Sequence, residues 1–318
     1  MAVTPRTRAG LAKFRPVAPG SRVALVAPAS PFDRAEFELG VVELRRLGLD
    51  PVFDEAVFAH EAIVAGSAEH RARAFAAAAM QQDIDAVIAV RGGYGSVEIL
   101  PRLESAALRR SRTAVVGYSD ITALHAFLNG HVNLASVHGA MIDGRIAQGS
   151  AAYDSATLLA SLSATPLGEL VPAGLEVLRH GEARGPIFGG TLMLLAASLG
   201  TPYEFMPPGG SVLFLEDVGE RPYRIRRLLT QLSQSGRFTG ASAIVCGEFP
   251  GCHEPGGTLT ARDVIRDFFA DFPGPVLFGF PSGHTTAPFL SMPLGVEVHV
   301  IGTRTDPPTV VFREAAAQ

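Results

Sequence analysis

An aliphatic run leads through a glycine into the start of a helix-type segment in the stretch Ala114-Val115-Val116-Gly117-Tyr118-Ser119-Asp120-Ile121-Thr122. Ala114–Val116 predicts a buried strand, and Ile121–Leu128 predicts a helix. The same order occurs earlier in the chain, with strand-type runs followed by helical spacing: Val23–Val26 then Asp33–Leu47, Pro51–Phe53 then Glu69–Met80, and Ala86–Val90 then Val97–Leu108, which Pro101 interrupts. Repeated alternation of this kind predicts a parallel sheet with helices on both faces.

The regular alternation of strand-type and helix-type segments stops in the second half of the chain. Gly144 to Glu182 is rich in Ala, Ser and Gly, with one helix expected near Tyr153–Leu162, and we interpret it as the passage between two domains. Beyond it, helices are expected at Thr191–Leu199, Tyr223–Leu232 and Ala261–Phe269, and strands at Val212–Leu215, Ala243–Cys246, Val276–Phe278, Val296–Ile301 and Thr309–Phe312. We therefore predict an α/β protein with a flavodoxin- or Rossmann-like parallel-sheet domain over residues 1–165 and a smaller mixed α/β domain over residues 166–318.

The composition is that of a globular protein. The 318 residues are 47% hydrophobic and 18% charged, with a net charge of −4, which argues against nucleic acid or an anionic membrane as the main partner. No apolar run approaches the ~20 residues of a membrane span. Met1–Arg22 is basic, but the apolar run from Val23 stops at Pro31, so we interpret this stretch as a mobile or surface-lying end and expect a cytoplasmic protein. Two cysteines, Cys246 and Cys252, fit a reducing compartment.

Several mechanisms are disfavoured by the residue types present. Lys13 is the only lysine and lies in an irregular stretch, which argues against a P-loop lysine, a Schiff base or a Ser-Lys dyad. His253 lies near Cys246 and Cys252, but the two cysteines are six positions apart with one nearby histidine, unlike the paired ligands of zinc sites. We expect neither a metal nor a cofactor.

Ser119 lies between a predicted strand and a predicted helix. A sharp turn there would lift its hydroxyl above the sheet, beside free helix N–H groups that favour developing negative charge. The hydrolase pattern G-x-S-x-G is broken, because Ile121 stands at the place of the second glycine. The alternative is that Ser119 or Asp120 only caps the following helix.

A glycine-rich loop, Arg91-Gly92-Gly93-Tyr94-Gly95-Ser96, follows the strand Ala86–Val90. Such loops expose backbone N–H groups to an anion or oxyanion. The alternative is that the glycines serve only a tight turn. A dinucleotide fingerprint read from Gly93 fails, because Glu98 replaces its third glycine.

Two further strand ends carry titratable side chains. Glu216 and Asp217 follow Val212–Leu215, and strand alternation lets only one of them face a given site. Taken alone, both fit a salt bridge or a helix cap. His284 lies on a small-residue loop after Val276–Phe278, which suits a general base, although with nine histidines any single one is more often an ordinary polar side chain.

These segments, in this order, resemble the LD-carboxypeptidase family of serine peptidases, which includes the muropeptide LD-carboxypeptidases. Two more stretches join them, Ala27-Pro28-Ala29-Ser30 at the first strand and Gly189-Gly190-Thr191-Leu192 before a helix. The resemblance runs from the opening strand to Pro281-Ser282-Gly283-His284 and covers nearly the whole chain.

The resemblance implies roles for individual residues. It implies Ser119 as the nucleophile, His284 as the general base, and Glu216 rather than Asp217 as the acid that orients the histidine. It also implies an oxyanion hole formed by the backbone N–H groups of Asp120 and of Gly92 or Gly93. We expect the active site between the two domains, because the serine belongs to the first and the other two triad members to the second.

The implied reaction is the release of D-alanine from murein tetrapeptides during peptidoglycan recycling, by cleavage after meso-diaminopimelate or L-lysine. Arg91 or an arginine of Glu220–Arg227 would bind the substrate carboxylate, and Gly93 is a further candidate for substrate binding. Homodimers are common in the family, so a homodimer is a further expectation.

Two other functions stay open at the level of the sequence. The microcin C self-immunity relatives hydrolyse acyl-sulfamoyl or peptidyl adenylates and stack aromatic residues on the nucleobase, including a tryptophan, which this chain lacks. The other is a catalytically silent small-molecule-binding protein on the same two domains. The presence of Ser119, Glu216 and His284 together argues against it.

Overall fold

The computed structural model describes residues 10–318, whose strands form two sheets. The strands are β1 Arg22–Val26, β2 Asp50–Val52, β3 Ala86–Ala89, β4 Ala114–Gly117, β5 Ser136–His138, β6 Gly168–Leu170, β7 Glu176–Arg179, β8 Gly181–Thr191, β9 Val212–Glu216, β10 Ala243–Cys246, β11 Val276–Phe278, β12 Met292–Leu294, β13 Glu297–Gly302 and β14 Thr309–Phe312. The α-helices are α1 Arg34–Arg46, α2 Ala68–Met80, α3 Ser96–Ile99, α4 Ser105–Ser111, α5 Thr122–Phe127, α6 Ser155–Leu162, α7 Leu192–Ala197, α8 Pro222–Gln234 and α9 Ala261–Phe268. Every helix and strand expected from the sequence occurs, and Pro101 marks a 3-10 turn between α3 and α4.

The first sheet is mainly parallel. Its strand order is β12-β5-β4-β3-β1-β2, and the strands from β2 to β5 in that order pair in parallel. β12 lies antiparallel to β5 and comes from the second half of the chain. The first sheet therefore draws on both halves, and the domain boundary at 165/166 stays a prediction.

The second sheet is mixed. Its order is β6-β14-β13-β8-β9-β10-β11-β7, with a parallel core from β8 to β11 and antiparallel strands on either side. The predicted α/β class is thus confirmed. Within residues 10–318 the second sheet has eight strands and the first six. Three strands of the second sheet, β6, β7 and β8, are not expected from the sequence pattern.

Strand β8 joins the two parts of the second sheet. Residues 181–186 pair with β13, and residues 187–191 pair with β9. Glycines interrupt its apolar alternation, but the packing requires one of them, since a Cβ at Gly189 would overlap the carbonyl oxygen of Phe214. Glycine permits this close approach and at the same time removes the hydrophobic pattern that marks a strand.

Helix α1 illustrates how local sequence sets the start of a helix and its packing. The side chain of Asp33 accepts a hydrogen bond from the Glu36 N–H and so caps the helix. The side chains of Phe37, Val41 and Leu44 are buried on one face. No helix within residues 10–318 has the length and apolar character needed to cross a membrane.

The basic N-terminal stretch is packed against the rest of the protein from residue 10 onward; residues 1–9 lie outside the described residues. Phe14 is fully buried, and its N–H donates to the carbonyl of Ala316 at 3.1 Å. Val17 is also buried. The interpretation of this stretch as a mobile or surface-lying end is therefore wrong for residues 10–22, because its apolar side chains join the core.

We predict that Phe14→Ala lowers the free energy of unfolding by about 3–5 kcal/mol, because it removes a fully buried ring and leaves a cavity. Phe53→Ala is the matched control: Phe53 is 40% exposed, so its loss should be much smaller. Urea unfolding followed by circular dichroism measures both. Equal losses would contradict a packed N-terminal stretch.

Candidate active site

The residues singled out in the sequence lie at the carboxyl ends of parallel strands, where such sheets collect functional groups. Gly92 follows β3, Ser119 follows β4, Glu216 ends β9 and His284 follows β11. The two carboxyl edges meet, since the rings of Tyr118 and His284 pack edge to face with centroids 5.3 Å apart. The structure thus brings together residues that are far apart in sequence.

Ser119 sits on a strained turn. Its φ is +59°, in the left-handed region that residues other than glycine rarely adopt. Gly117 before it has no room for a side chain, because a Cβ there would lie 2.8 Å from two carbons of Ile121. Within residues 10–318 the Ser119 hydroxyl makes no hydrogen bond, and the Asp120 carboxylate binds Ser96 instead of its own helix. The capping alternative therefore does not describe either side chain.

Free backbone donors lie next to this serine. A Cβ added to Gly92 would be 3.0 Å from the Cβ of Ser119 and 3.3 Å from the Asp120 nitrogen, so the two turns touch. The N–H groups of Gly92, Gly93 and Asp120 donate to no residue in the described chain. Gly93, at φ +93°, packs against the Ser30 side chain. Unused N–H groups beside a hydroxyl could receive a developing oxyanion.

Hydrogen bonds hold these two turns in register. The Ser96 N–H donates to the Asp120 carboxylate at 2.7 Å, and the Ser96 hydroxyl donates to the Asp120 carbonyl at 2.6 Å. The Ser30 hydroxyl accepts from the Tyr94 N–H at 3.1 Å and donates to the Ile63 carbonyl at 2.8 Å. The glycine loop is therefore more than a tight turn, because it is fixed against the serine.

Glu216 and His284 form a buried pair. One carboxylate oxygen of Glu216 accepts from both Nδ1 and the backbone N–H of His284, each at 2.8 Å. Burial by itself would lower the pKa of His284, but the hydrogen bond and charge of Glu216 outweigh it, and the pKa is raised. Burial opposes the charge on Glu216, yet its bonds with His284 keep its pKa below the ordinary value. Nε2 of His284 has no hydrogen-bond partner within the described residues.

Thr191 is a site residue whose role the sequence pattern does not reveal. Its hydroxyl donates to the second carboxylate oxygen of Glu216. Its N–H donates to the Thr122 hydroxyl at 3.1 Å, and Thr122 begins the helix that follows Ser119. Thr191 therefore connects the acid of one sheet with the serine segment of the other. The only signal for it is its place in the Gly189–Leu192 stretch.

Asp217 points away from His284, as strand alternation requires. Its carboxylate accepts from the N–H groups of Met193 and Val218, both at 2.9 Å. Burial and the neighbouring charge of Glu216 raise the pKa of Asp217 to about 7. Of the two adjacent acids, Glu216 is the one that pairs with the histidine.

The remaining candidate residues make contacts of their own, apart from the Glu216–His284 pair. Arg91 is half exposed, with Nη1 3.1 Å from the carboxylate of Asp143. In the Glu220–Arg227 segment, Arg221 and Arg224 pair loosely with glutamates on an exposed surface. Cys246 and Cys252 are buried free thiols. In the part of the chain that the structure describes, no group of three or more His, Cys, Asp or Glu residues is arranged to hold a metal ion.

A strained serine, a carboxylate-bound histidine and unused N–H donors are the components of a hydrolytic site, here in an α/β protein. The LD-carboxypeptidase N-terminal domain matches residues 23–139, and the LD-carboxypeptidase C-terminal domain matches residues 184–300. The chain belongs to the LD-carboxypeptidase family, a family of peptidases, and several of its relatives are named as carboxypeptidases.

Two relatives illustrate the similarity. A putative carboxypeptidase of Streptomyces coelicolor is 38% identical over 285 residues, which cover 88% of this chain and 90% of the relative. The murein tetrapeptide carboxypeptidase of Pseudomonas aeruginosa is 33% identical over 270 residues, which cover 83% of this chain and 88% of the relative.

The fold is also similar to that of a solved structure that contains a bound nucleoside derivative. The structure of MccF in complex with glutamyl sulfamoyl guanosine matches with a TM-score of 0.86 at 21% identity, covering 96% of this chain and 99% of that chain. MccF is a microcin C7 self-immunity protein. At this identity the match shows the two-sheet fold alone.

We predict that Glu216→Gln lowers the pKa of the His284 imidazole, because the hydrogen-bonded carboxylate favours the imidazolium. A titration of the histidine ring carbons by NMR measures this without any substrate, with His284→Gln to assign the resonance. Asp217→Asn is the matched control, since Asp217 acts on His284 by charge alone and more weakly. A larger drop in Asp217→Asn would contradict the pairing.

Proposed function

We propose that this protein is a serine-type LD-carboxypeptidase that releases the terminal D-alanine from murein tetrapeptides, with Ser119 as nucleophile. The observation that carries the proposal is the buried Glu216–His284 pair, whose histidine ring packs against Tyr118, the residue before a serine at φ +59°. Family membership and the name of the Pseudomonas aeruginosa relative support the substrate. A cytoplasmic location and a homodimer stay predictions.

In the acylation step, His284 Nε2 removes the proton of the Ser119 hydroxyl as its oxygen attacks the carbonyl carbon of the L-configured centre. The oxyanion that forms accepts hydrogen bonds from the N–H groups of Gly92 and Asp120, each worth about 3 kcal/mol in the transition state. The imidazolium then gives its proton to the leaving nitrogen. The C–N bond breaks, and D-alanine leaves an ester on Ser119.

In the deacylation step, the same groups act on water. Neutral His284 removes a proton from a water molecule, which attacks the ester carbonyl, and the proton then passes to the Ser119 oxygen as the C–O bond breaks. Glu216 holds the ring by Nδ1 throughout, so that Nε2 faces the reacting atoms, and it stabilises the imidazolium formed twice in each turnover.

Recognition of a terminal D-amino acid needs a cation or a cluster of N–H donors for its free carboxylate. We propose Arg91 for this role, since it directly precedes Gly92 and its side chain is 49% exposed. Asp143, which pairs with Arg91, would have to share the guanidinium with the substrate carboxylate. A guanidinium suits a carboxylate because it can donate two parallel hydrogen bonds.

A second candidate function is hydrolysis of an acyl- or peptidyl-adenylate. The fold match with MccF favours it. The chain contains no tryptophan to stack on a base, so we place it second. A catalytically silent binding protein is the third reading, and the complete set of hydrolytic groups argues against it.

The proposed function predicts that the protein releases free D-alanine from L-Ala-γ-D-Glu-meso-diaminopimelate-D-Ala, and that Ser119→Ala lowers kcat by several orders of magnitude. Mass spectrometry of the tripeptide product measures both. A folded wild-type protein that leaves this tetrapeptide and its lysine analogue intact would refute the proposal. Hydrolysis of an aminoacyl-sulfamoyl adenylate would then favour the second function.

The adjacent acids provide a matched pair of variants for the catalytic assignment. Glu216→Gln should reduce kcat strongly, because the ring loses its anchor and the imidazolium its counter-charge. Asp217→Asn should reduce kcat much less, because its carboxylate binds backbone N–H groups away from His284. Steady-state rates on the tetrapeptide measure both, and a greater loss in Asp217→Asn would show that the wrong acid is assigned.

A further inference from the structure

Arg145 donates hydrogen bonds to the backbone carbonyls on both sides of His284. One guanidinium nitrogen donates to the carbonyl of Thr285 at 2.8 Å and to that of Gly283 at 3.4 Å. The other terminal nitrogen donates to the carbonyl of Ala152 at 3.1 Å. The guanidinium also lies over the ring of Phe289, 5.7 Å from its centroid. The half-buried side chain therefore donates through one nitrogen to the loop that carries the histidine and through the other to Ala152.

This contact crosses from one sheet to the other. Arg145 lies in the segment after β5, which pairs in parallel with β4, the strand that ends just before Ser119. His284 lies in the loop after β11, in the second sheet. Arg145 thus attaches the histidine loop to the sheet that presents the serine.

The other hydrogen bonds of residues 283–286 go to two acids of the second sheet, while Tyr118 of the first sheet packs against the His284 ring without a hydrogen bond. Glu216, at the end of β9, binds the ring and N–H of His284. Glu248, after β10, accepts from the hydroxyls of Thr285 and Thr286. These bonds orient the histidine relative to its own sheet, but they leave its separation from Ser119 undetermined.

We propose that Arg145 is a positioning residue, which fixes the distance between His284 and Ser119 by holding the carbonyls on either side of the histidine. The inference rests on the proposed function, in which His284 takes the proton of Ser119. Proton transfer requires hydrogen-bond distance between the two side chains, and a misplacement of about 1 Å can cost roughly 100-fold in rate.

The charge of Arg145 gives this role a second readout. The titratable or charged groups around His284 are Glu216, Asp217, Arg145, Tyr118, His138 and Glu248. Burial lowers the pKa of His284, the two acids of β9 and its following loop raise it, and the Arg145 cation lowers it. Loss of that cation therefore raises the pKa. The active form of the base is neutral, so the acidic limb of the kcat/KM profile moves to higher pH.

The experiment compares Arg145→Gln and Arg145→Lys with the wild type. In Arg145→Gln we expect kcat to fall about 10- to 100-fold with KM within about 3-fold, and the pKa of His284 to rise in an NMR titration. Arg145→Lys keeps the cation but loses the planar fork of donors, so it should restore the pKa and only part of kcat. Arg73→Gln, at a 73%-exposed arginine on α2, is the control for a general charge effect and should match the wild type.

The two readouts decide the proposal together. A fall in kcat without a change in the pKa of His284 would overturn it, because a merely structural role predicts that result. A pKa change with a wild-type kcat would overturn it too. If Arg145→Gln does not fold, Arg145→Lys decides alone, and wild-type kcat in that variant contradicts the proposal. A wild-type protein that is inactive on the tetrapeptide would refute the proposed function. The NMR titration needs no substrate, so the pKa of His284 in Arg145→Gln, raised or unchanged relative to the wild type, would still test the role of Arg145.

Discussion

Much of the active-site structure serves to pair and enclose the buried carboxylate of Glu216. A charged carboxylate removed from water costs several kcal/mol unless its oxygens are paired. Here His284 supplies two donors and Thr191 a third. The space around them is narrow, since a Cβ on Gly283 would lie 2.5 Å from the Glu216 carboxyl carbon and one on Gly247 2.7 Å from its Cβ. The glycines, the threonine and the end of β9 are thus parts of one arrangement.

The site depends on two sheets because neither contains all the reacting groups. The first supplies Ser119 on a strained turn and the free N–H groups around it, and the fully buried β4 before it holds the strained backbone in place. The second supplies the glutamate-histidine pair. Contacts that cross between them include Thr191 to Thr122 beside the acid, Arg145 to the loop of the base, and the ring of Tyr118 to that of His284. A small opening between the sheets would separate the serine from the histidine while leaving each sheet intact, so contacts across this boundary control the chemistry.

Sequence reasoning succeeds here where local chemistry determines structure. Continuous aliphatic runs such as Ala243–Cys246 predict buried strands directly, and strand ends predict where functional groups collect. Strand alternation shows that one of Glu216 and Asp217 must face the site, but it does not say which. The resemblance selects Glu216, and the structure pairs that residue with His284. The long strand β8 escapes detection because its glycines hide the pattern, and Arg145 escapes because its contacts lie about 140 positions away in the chain.

The central claim is that a serine on one sheet and a histidine on the other act as a single nucleophile-base pair. Rapid mixing with the tetrapeptide, an acid quench and peptide mapping by mass spectrometry test it most directly. The account predicts a tripeptidyl ester on the peptide that contains Ser119, formed together with the first equivalent of D-alanine. The rate of ester formation should fall at low pH, and the pKa of that fall should equal the pKa of His284 measured by NMR. A covalent adduct on any other residue, or release of D-alanine by Ser119→Ala at the wild-type rate, would contradict it.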